Sequence, residues 1–439
     1  MEACFFGEGK QRAWQFYCKF ADRNKYDNCP YPIAMKHTLV LLALASFCLT
    51  APAQDMLQTL DRPVLPTADT IKADTLQIDT LGGNARKASG FKRWWNNLVK
   101  GNVDRTHEKK VDISFVLSPS YTDVASVGIG GMCTAMFRTD RSDYTMPPSS
   151  ISACASISVK KFYSFYLKGT IYFPDKRSQL DCYMDLRNEI LDFWGFGFDN
   201  CRHNPQTKYS RYTSIIKADY FYSLPHNLYI GGSARFNYTD IYKLDNPDFY
   251  LSGQTLSNSY AGIGPALKYD SRDSQVTPQR GFHALIRPMY YRNLQGNGSK
   301  NVWGTTLQFN SYHRLWKNAV LATDLFAQLY DTDVNLPLME QIAADYCHMR
   351  GYYIGRYADN NQTCVQVELR QNIYKRFGAV AWVGAGNFFR DFNHWQWSHT
   401  LPNGGVGLRF EFKPGINLRV DYGIGRGYSC IVFDFGEAF

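Results

Sequence analysis

From Val111 to the C-terminal Phe439 the chain alternates apolar and polar residues with a period of two, segment after segment. Side chains of an extended strand point alternately to opposite faces, so this pattern prescribes strands with one apolar and one polar side. Residues 227–238 place Leu228, Ile230, Gly232, Ala234, Phe236 and Tyr238 on one face and Asn227, Ser233, Arg235 and Asn237 on the other. Residues 416–424 set Ile416, Leu418, Val420, Tyr422 and Ile424 against Asn417, Arg419 and Asp421. Apolar faces backed by faces that carry charge invert what a soluble sandwich needs. They suit a barrel with lipid outside and a polar lumen.

The connections carry a second, independent pattern. Short links at Leu224-Pro225, Trp316-Lys317-Asn318, Lys375-Arg376 and Lys413-Pro414-Gly415 alternate with long polar ones at 194–209, 240–254, 331–360 and 391–398, through the whole second half. Short turns at one end and long loops at the other are the habit of outer-membrane barrels. Counted this way, residues 111–439 hold about sixteen strands, an even number that returns the C-terminus to the periplasmic side. The expected fold is all-β, a single transmembrane antiparallel β-barrel closed by a last strand that ends on Phe439.

Composition removes the competing classes. Tyr (30) and Phe (29) raise the aromatic share to 15%, yet no stretch of the second half approaches the roughly 18–20 consecutive apolar residues of a spanning helix. A helical membrane bundle is therefore excluded. The net charge of +9 is spread through strands and turns rather than gathered in a patch, so no nucleic-acid partner is expected. GxSxG, HExxH and P-loop motifs are absent from the sequence, and the chain is read as no enzyme, with no catalytic residues, cofactor or metal site. His394 and His399, beside Trp395 and Trp397, form a conspicuous loop that reads as an aromatic interface feature. Asp181 and Asp185 sit at alternate positions and so share a face, as members of a lumenal polar network.

The segments before the barrel follow an export logic. Met35, Lys36 and His37 open a basic region, Leu39 to Leu49 is an apolar core, and Ala51-Pro52-Ala53 is a cleavage site of small residues, together a signal peptide at 35–53. Residues 1–34 then read as an over-extended start. Residues 54–110 are polar and repetitive and read as a flexible periplasmic linker, with no room for a packed βααββ module. Of the 11 cysteines, Cys4, Cys18, Cys29 and Cys48 precede residue 54, and the other seven make no CxxC pair. Cys182 with Cys201 and Cys347 with Cys364 flank predicted outer loops and can bridge in an oxidising envelope. Free thiols are the simpler expectation.

Three segments bear on family. Asp270, Arg272, Asp273, Pro278 and Gly281 stand at the spacing DxRDxxxxPxxG, where proline and glycine set a tight turn. Arg350-Gly351-Tyr352 lies in the longest loop, followed by Glu368 in the strand VQVELRQ, and residues 380–387 read VAWVGAGN. Together these resemble the BamA/TamA superfamily of outer-membrane assembly and translocation barrels, over most of residues 255–439.

The resemblance implies an extracellular loop folded into the lumen, with Arg350 meeting acidic residues of the inner wall and Glu368 at the acidic partner position. Gly384 stands where the family's FVDAGNV strand has its aspartate. That removes one partner and leaves Glu368 alone, or Asp391 or Arg356 in a rearranged contact. Phe433, Phe435, Gly436 and Phe439 are similar to the C-terminal β-signal that assembly machinery reads by strand pairing, with Glu437 at a usually apolar position. Pro119, late in the first strand, predicts imperfect pairing with the last, since proline lacks a ladder donor. The implied function is insertion or export of outer-membrane or surface proteins in a Gram-negative outer membrane, with membrane lipid, unfolded client proteins and a separate periplasmic accessory protein as partners. The alternative is a structural, pore-forming or binding barrel of the same fold without insertase activity.

Overall fold

The computed structural model describes residues 106–122, 126–143, 146–160, 162–175, 177–245, 255–295, 300–413 and 416–439. The expected start at 1–34, the signal peptide at 35–53 and nearly all of the linker at 54–110 lie outside the described residues. The alternating segments form β1 (Asp112–Thr122), β2 (Ser126–Phe137), β3 (Ser149–Ser158), β4 (Tyr163–Tyr172), β5 (Ser178–Phe193), β6 (Thr207–Ser223), β7 (Leu228–Leu244), β8 (Ser257–Asp270) and β9 (Gly281–Asn293). They continue as β10 (Val302–Trp316), β11 (Ala319–Tyr330), β12 (Glu340–Gln341), β13 (Ala358–Asp359), β14 (Asn361–Tyr374), β15 (Phe377–Phe389), β16 (Leu401–Lys413), β17 (Ile416–Gly425) and β18 (Tyr428–Phe435). One short helix, α1 (Phe198–His203), lies between β5 and β6. Among the described residues no helix is long and apolar enough to cross a membrane.

Sixteen strands make one sheet in sequence order, with β11 joined directly to β14 and the small hairpin β12–β13 set apart. The faces follow the period-two reading. On β17 Arg419 and Asp421 are buried while Val420, Tyr422 and Ile424 are exposed. On β7 Ser233, Arg235 and Asn237 are buried while Ile230 is exposed. The exposed apolar surface continues across the sheet through Val383, Val406, Leu408 and Ile431, the last at 71% exposure. A face this apolar has no place in water.

The buried face encloses an interior. Tyr166 of β4 reaches Asp434 of β18 at 3.5 Å, contacting across the lumen between opposite ends of the sheet order. Residues 331–360 pack inside against three groups of strands. Leu336 joins Leu191, Phe193, Tyr209 and Ile241; Val334 and Leu338 join Tyr260, Met289, Tyr291 and Val302; Ile342, Met349 and Tyr352 join Phe388 and Leu401. The lumen is thus not uniformly wet, since this loop brings its own apolar residues into it.

Three expectations need correction. The sheet runs from β1 to β18 with no ladder between those two strands among the described residues, so it is curled but not closed. Pro119 stands opposite Ile129 of β2 and supplies no backbone donor. Secondly, β18 stops at Phe435 rather than Phe439: Gly436 adopts φ 85°, and residues 437–439 turn inward. Thirdly, the alternation of link lengths fails in places. The link at 426–427 is a tight turn at the long-loop end, and the one at 271–280 is long at the short-turn end. The predicted short links at 224–225, 316–318 and 375–376 are where expected, with Asn227, Asn318 and Lys375 at positive φ and bulges beside the last two; Pro414 and Gly415 lie outside the described residues.

Candidate functional site

Strand register builds a trough on the inner wall. Glu368 of β14 pairs across to Trp382 of β15, which pairs to Gly405 of β16. Gly407 of β16 then pairs to Asp421 of β17. Two carboxylates therefore flank an indole and two positions without side chains. Arg350 lies in that trough. Its Nη2 donates to Glu368 Oε2 at 2.7 Å and its Nη1 to Asp421 Oδ2 at 2.6 Å. The guanidinium carbon stands 3.9 Å from the centre of the Trp382 ring, within cation–π range. All three charged side chains are fully buried. Charges removed from water in this way are tolerable only when they are paired, and here both Nη atoms are, while Nε has no hydrogen-bond partner among the described residues.

The loop backbone is pinned by the same surface. Gly351 has φ 112°, and a Cβ there would stand 2.5 Å from the Ile424 nitrogen, so only glycine lets the loop lie directly on β17. The Tyr352 hydroxyl donates to the Pro402 carbonyl at 2.7 Å and accepts from the Arg426 N–H at 2.9 Å. Asn403 donates to the Arg350 carbonyl at 3.0 Å. Gly384 now has a physical account: a Cβ would fall 2.5 Å from Asn403 Oδ1, so the missing aspartate makes room for the amide that holds the loop.

The second partner of Arg350 is Asp421, not Glu368 alone, and neither Asp391 nor Arg356 replaces it. Asp391 caps a 3-10 turn and binds His394. Arg356 binds the Cys201 carbonyl of α1 and donates to the Tyr428 hydroxyl at 2.6 Å. Sequence reasoning placed Asp421 on the inner face without linking it to the loop; its alternation with Arg419 was the available signal.

Around the trough the network continues. Arg370 donates to Glu368 at 2.8 Å, Arg409 to Asp421 at 2.5 Å and Arg419 to Asp434 at 2.6 Å. The inturned tail completes it. Glu437 accepts from Arg409 at 2.9 Å and from Asn417 at 2.5 Å. The backbone carboxylate oxygen of the C-terminal Phe439 accepts from Arg370 at 2.8 Å, with the ring against Tyr312, Val320 and Ala322. Glu437 is therefore a lumenal ion-pair partner rather than a misplaced lipid contact. Of Phe433 and Phe435 only the backbone course in β18 is described.

The turn motif is formed at the short-turn end. Arg272 grips both oxygens of Asp270 at 2.8 and 2.7 Å, whereas Asp273 accepts instead from the backbone of Gln279 and Arg280. Pro278 is buried. Gly281, at φ 105°, lies where a Cβ would meet the Ser271 carbonyl at 2.3 Å. This turn reaches across the interior, where Tyr172 donates to Gln275 at 2.7 Å.

Other singled-out residues have separate tasks. Asp181 accepts from Thr170 and Gln179, and Asp185 pairs with Arg187 at 2.7 Å, as expected of a lumenal polar network. His399 stacks on Phe198 at 4.0 Å. The seven described cysteines are free thiols. Asp359, buried beside β12 at the top of the loop, has its carboxyl pushed up to about 6 by loss of solvent.

An antiparallel sixteen-stranded sheet, apolar outside and charged within, leaves one architecture. The chain folds as a transmembrane-type β-barrel. No family model and no curated protein matches it. Among solved structures it is similar to CdiB from Acinetobacter baumannii, 13% identical over 75% of this chain and 60% of that one, with a TM-score of 0.49. It is also similar to CdiB from Escherichia coli, 12% identical over 75% of this chain and 63% of that one, at a TM-score of 0.49. The third is BamA from Haemophilus ducreyi lacking POTRA domains 1-3, 13% identical over 74% and 69%, at 0.45. The chain thus spans less than two thirds of the two CdiB chains. These likenesses concern the course of the chain.

Proposed function

We propose that this chain is an outer-membrane barrel of the BamA/TamA type that assembles or translocates other proteins, with the Arg350 loop as a lumenal lock. The observation that carries this reading is Arg350, delivered by the loop to Glu368 and Asp421 in the wall, the contact that the RGY resemblance leads one to expect. Among the described residues β1 and β18 form no ladder with each other, which supports it further. An exposed strand edge presents unpaired backbone donors and acceptors, and an unfolded client strand can add to it by backbone pairing. In this reading the outward apolar residues meet lipid, the turn at 270–281 faces the periplasm, and a periplasmic accessory protein hands over clients.

A second reading is a plugged scaffold or binding barrel, favoured by the three apolar clusters that residues 331–360 build inside the lumen. Depletion of the protein followed by quantitative proteomics of outer membranes separates the two. Transport predicts selective loss of particular outer-membrane or surface proteins. Unchanged levels of every other barrel and surface protein would sink it in favour of the scaffold.

A further inference from the structure

We propose that Asp324, His348 and Cys364 form a zinc-type metal site that fastens the inward loop to the barrel wall. Asp324 stands on the inner face of β11 opposite Gln366, and Cys364 of β14 stands opposite Phe326, so the two wall ligands are diagonal neighbours. The loop supplies His348, two residues before Arg350. One donor atom from each lies within 4.8 Å of the others, and all three residues are buried. In a tetrahedral site with bonds of 2.0–2.3 Å the donors stand about 3.5 Å apart. A modest contraction of the observed cluster therefore suffices.

The polar surroundings favour a cation over a packed but inert cluster. His348 Nε2 lies 3.0 Å from Asp324 Oδ2, yet it makes no hydrogen bond and is buried. A ring nitrogen so placed presents a lone pair if its proton is on the other nitrogen. That other nitrogen, Nδ1, is held by Asp345, whose carboxylate is itself fixed by the N–H groups of Cys347 and His348 at 2.9 Å. A carboxylate on the far nitrogen is the usual support of a metal-bound histidine. Phe326 stacks on the imidazole at 4.3 Å and fixes its plane. Asn310 orients Asp324 through Oδ1 at 2.6 Å and leaves Oδ2 toward the histidine. Gln366 Nε2 stands 3.5 Å from Asp324 Oδ2 and donates to the Cys347 carbonyl at 3.3 Å, so the three ligands leave the fourth position to water.

The donor set selects the ion. Thiolate, imidazole and carboxylate are the three zinc donors, and the sulfur disfavours calcium and magnesium. Binding releases the thiol proton, and the Cys364 thiolate with Asp324 then balances a divalent charge against a neutral imidazole. Cys347 is turned elsewhere, to Arg419 at 3.7 Å. Sequence inspection expected no metal because these ligands come from two strands and a loop and share no spacing motif.

The test uses the full chain in detergent micelles, reduced, stripped with EDTA and titrated with Co²⁺, then with Zn²⁺. One equivalent of Co²⁺ is expected, with a thiolate charge-transfer band and strong visible absorption of tetrahedral cobalt, both erased by Zn²⁺. Cys364→Ser should abolish the charge-transfer band, and Cys364→Ser, His348→Gln and Asp324→Asn should each weaken binding at least tenfold. Cys347→Ser and Cys430→Ser should leave it unchanged. Heat-modifiable mobility on gels checks each barrel, and Cys364→Ser and His348→Gln decide the matter if Asp324→Asn does not fold. Absence of stoichiometric binding would overturn the proposal and leave His348 as an ion bridge between two aspartates. Binding that survives Cys364→Ser, or is lost in Cys347→Ser instead, would overturn it equally.

Discussion

Arg350 is held by two carboxylates with which it shares a dry trough, so its removal acts mainly through what it leaves behind. Arg350→Ala strands Glu368 and Asp421 with fewer partners, and breaking buried pairs of this kind costs about 3–5 kcal/mol. Urea unfolding of the barrel in micelles should register a loss of that order, while Arg350→Lys, which keeps the charge but not the fork, should fall between. A variant as stable as the parent would mean that the trough relaxes and that the contact is incidental. At this scale Arg350 and Glu368 were legible only through the family resemblance, which names an arginine in the loop and an acidic residue in the next strand. Asp421 was not. Its position is set by the pairing of β14, β15, β16 and β17 across more than fifty residues of chain, which no local pattern records.

The loop of residues 331–360 behaves as an element of its own, docked by apolar clusters, by Arg350 and by the hairpin β12–β13. Asp359 makes this docking pH-dependent. Burial raises its carboxyl from 3.8 to about 6, so the docked loop binds a proton more readily than a released one. Docking stability from this group is complete below about pH 4 and is lost as pH rises through 6, by up to about 3 kcal/mol. Protease cleavage within the loop should therefore be faster at pH 7.5 than at pH 5, and Asp359→Asn should reduce that difference, with Glu340 opposite it, whose carboxyl burial pushes up to about 8, sustaining the rest. Equal cleavage of the parent chain at both pH values would refute the assignment. Strand positions and turn sites were readable from alternation and turn residues. The apolar filling of the lumen escaped notice, since Leu336, Ile342 and Met349 stand in a segment without period, and only a surrounding wall gives such a segment something to pack against.

For the whole molecule the decisive surface is the outer one. Leu408 on β16 is 66% exposed and faces away from the lumen. In a lipid-facing barrel Leu408→Arg should cost up to about 2–4 kcal/mol, depending on its depth in the bilayer. Folding efficiency into phospholipid vesicles measures this directly; an unaffected Leu408→Arg variant would count against lipid at that face.

By itself the sequence determined the class of the protein: about sixteen alternating strands, antiparallel by their short links, apolar toward one side and charged toward the other. That information is local, because a strand's two faces are written in consecutive residues. Tertiary structure alone decided how the segment that ends on Phe439 is used. Gly436 breaks the strand, Glu437 and Phe439 enter the lumen to join Arg409 and Arg370, and the two edge strands make no ladder with each other among the described residues. Those outcomes depend on which charges meet across the interior once the sheet has curled, and distances across a lumen are not encoded in the spacing of residues along a chain.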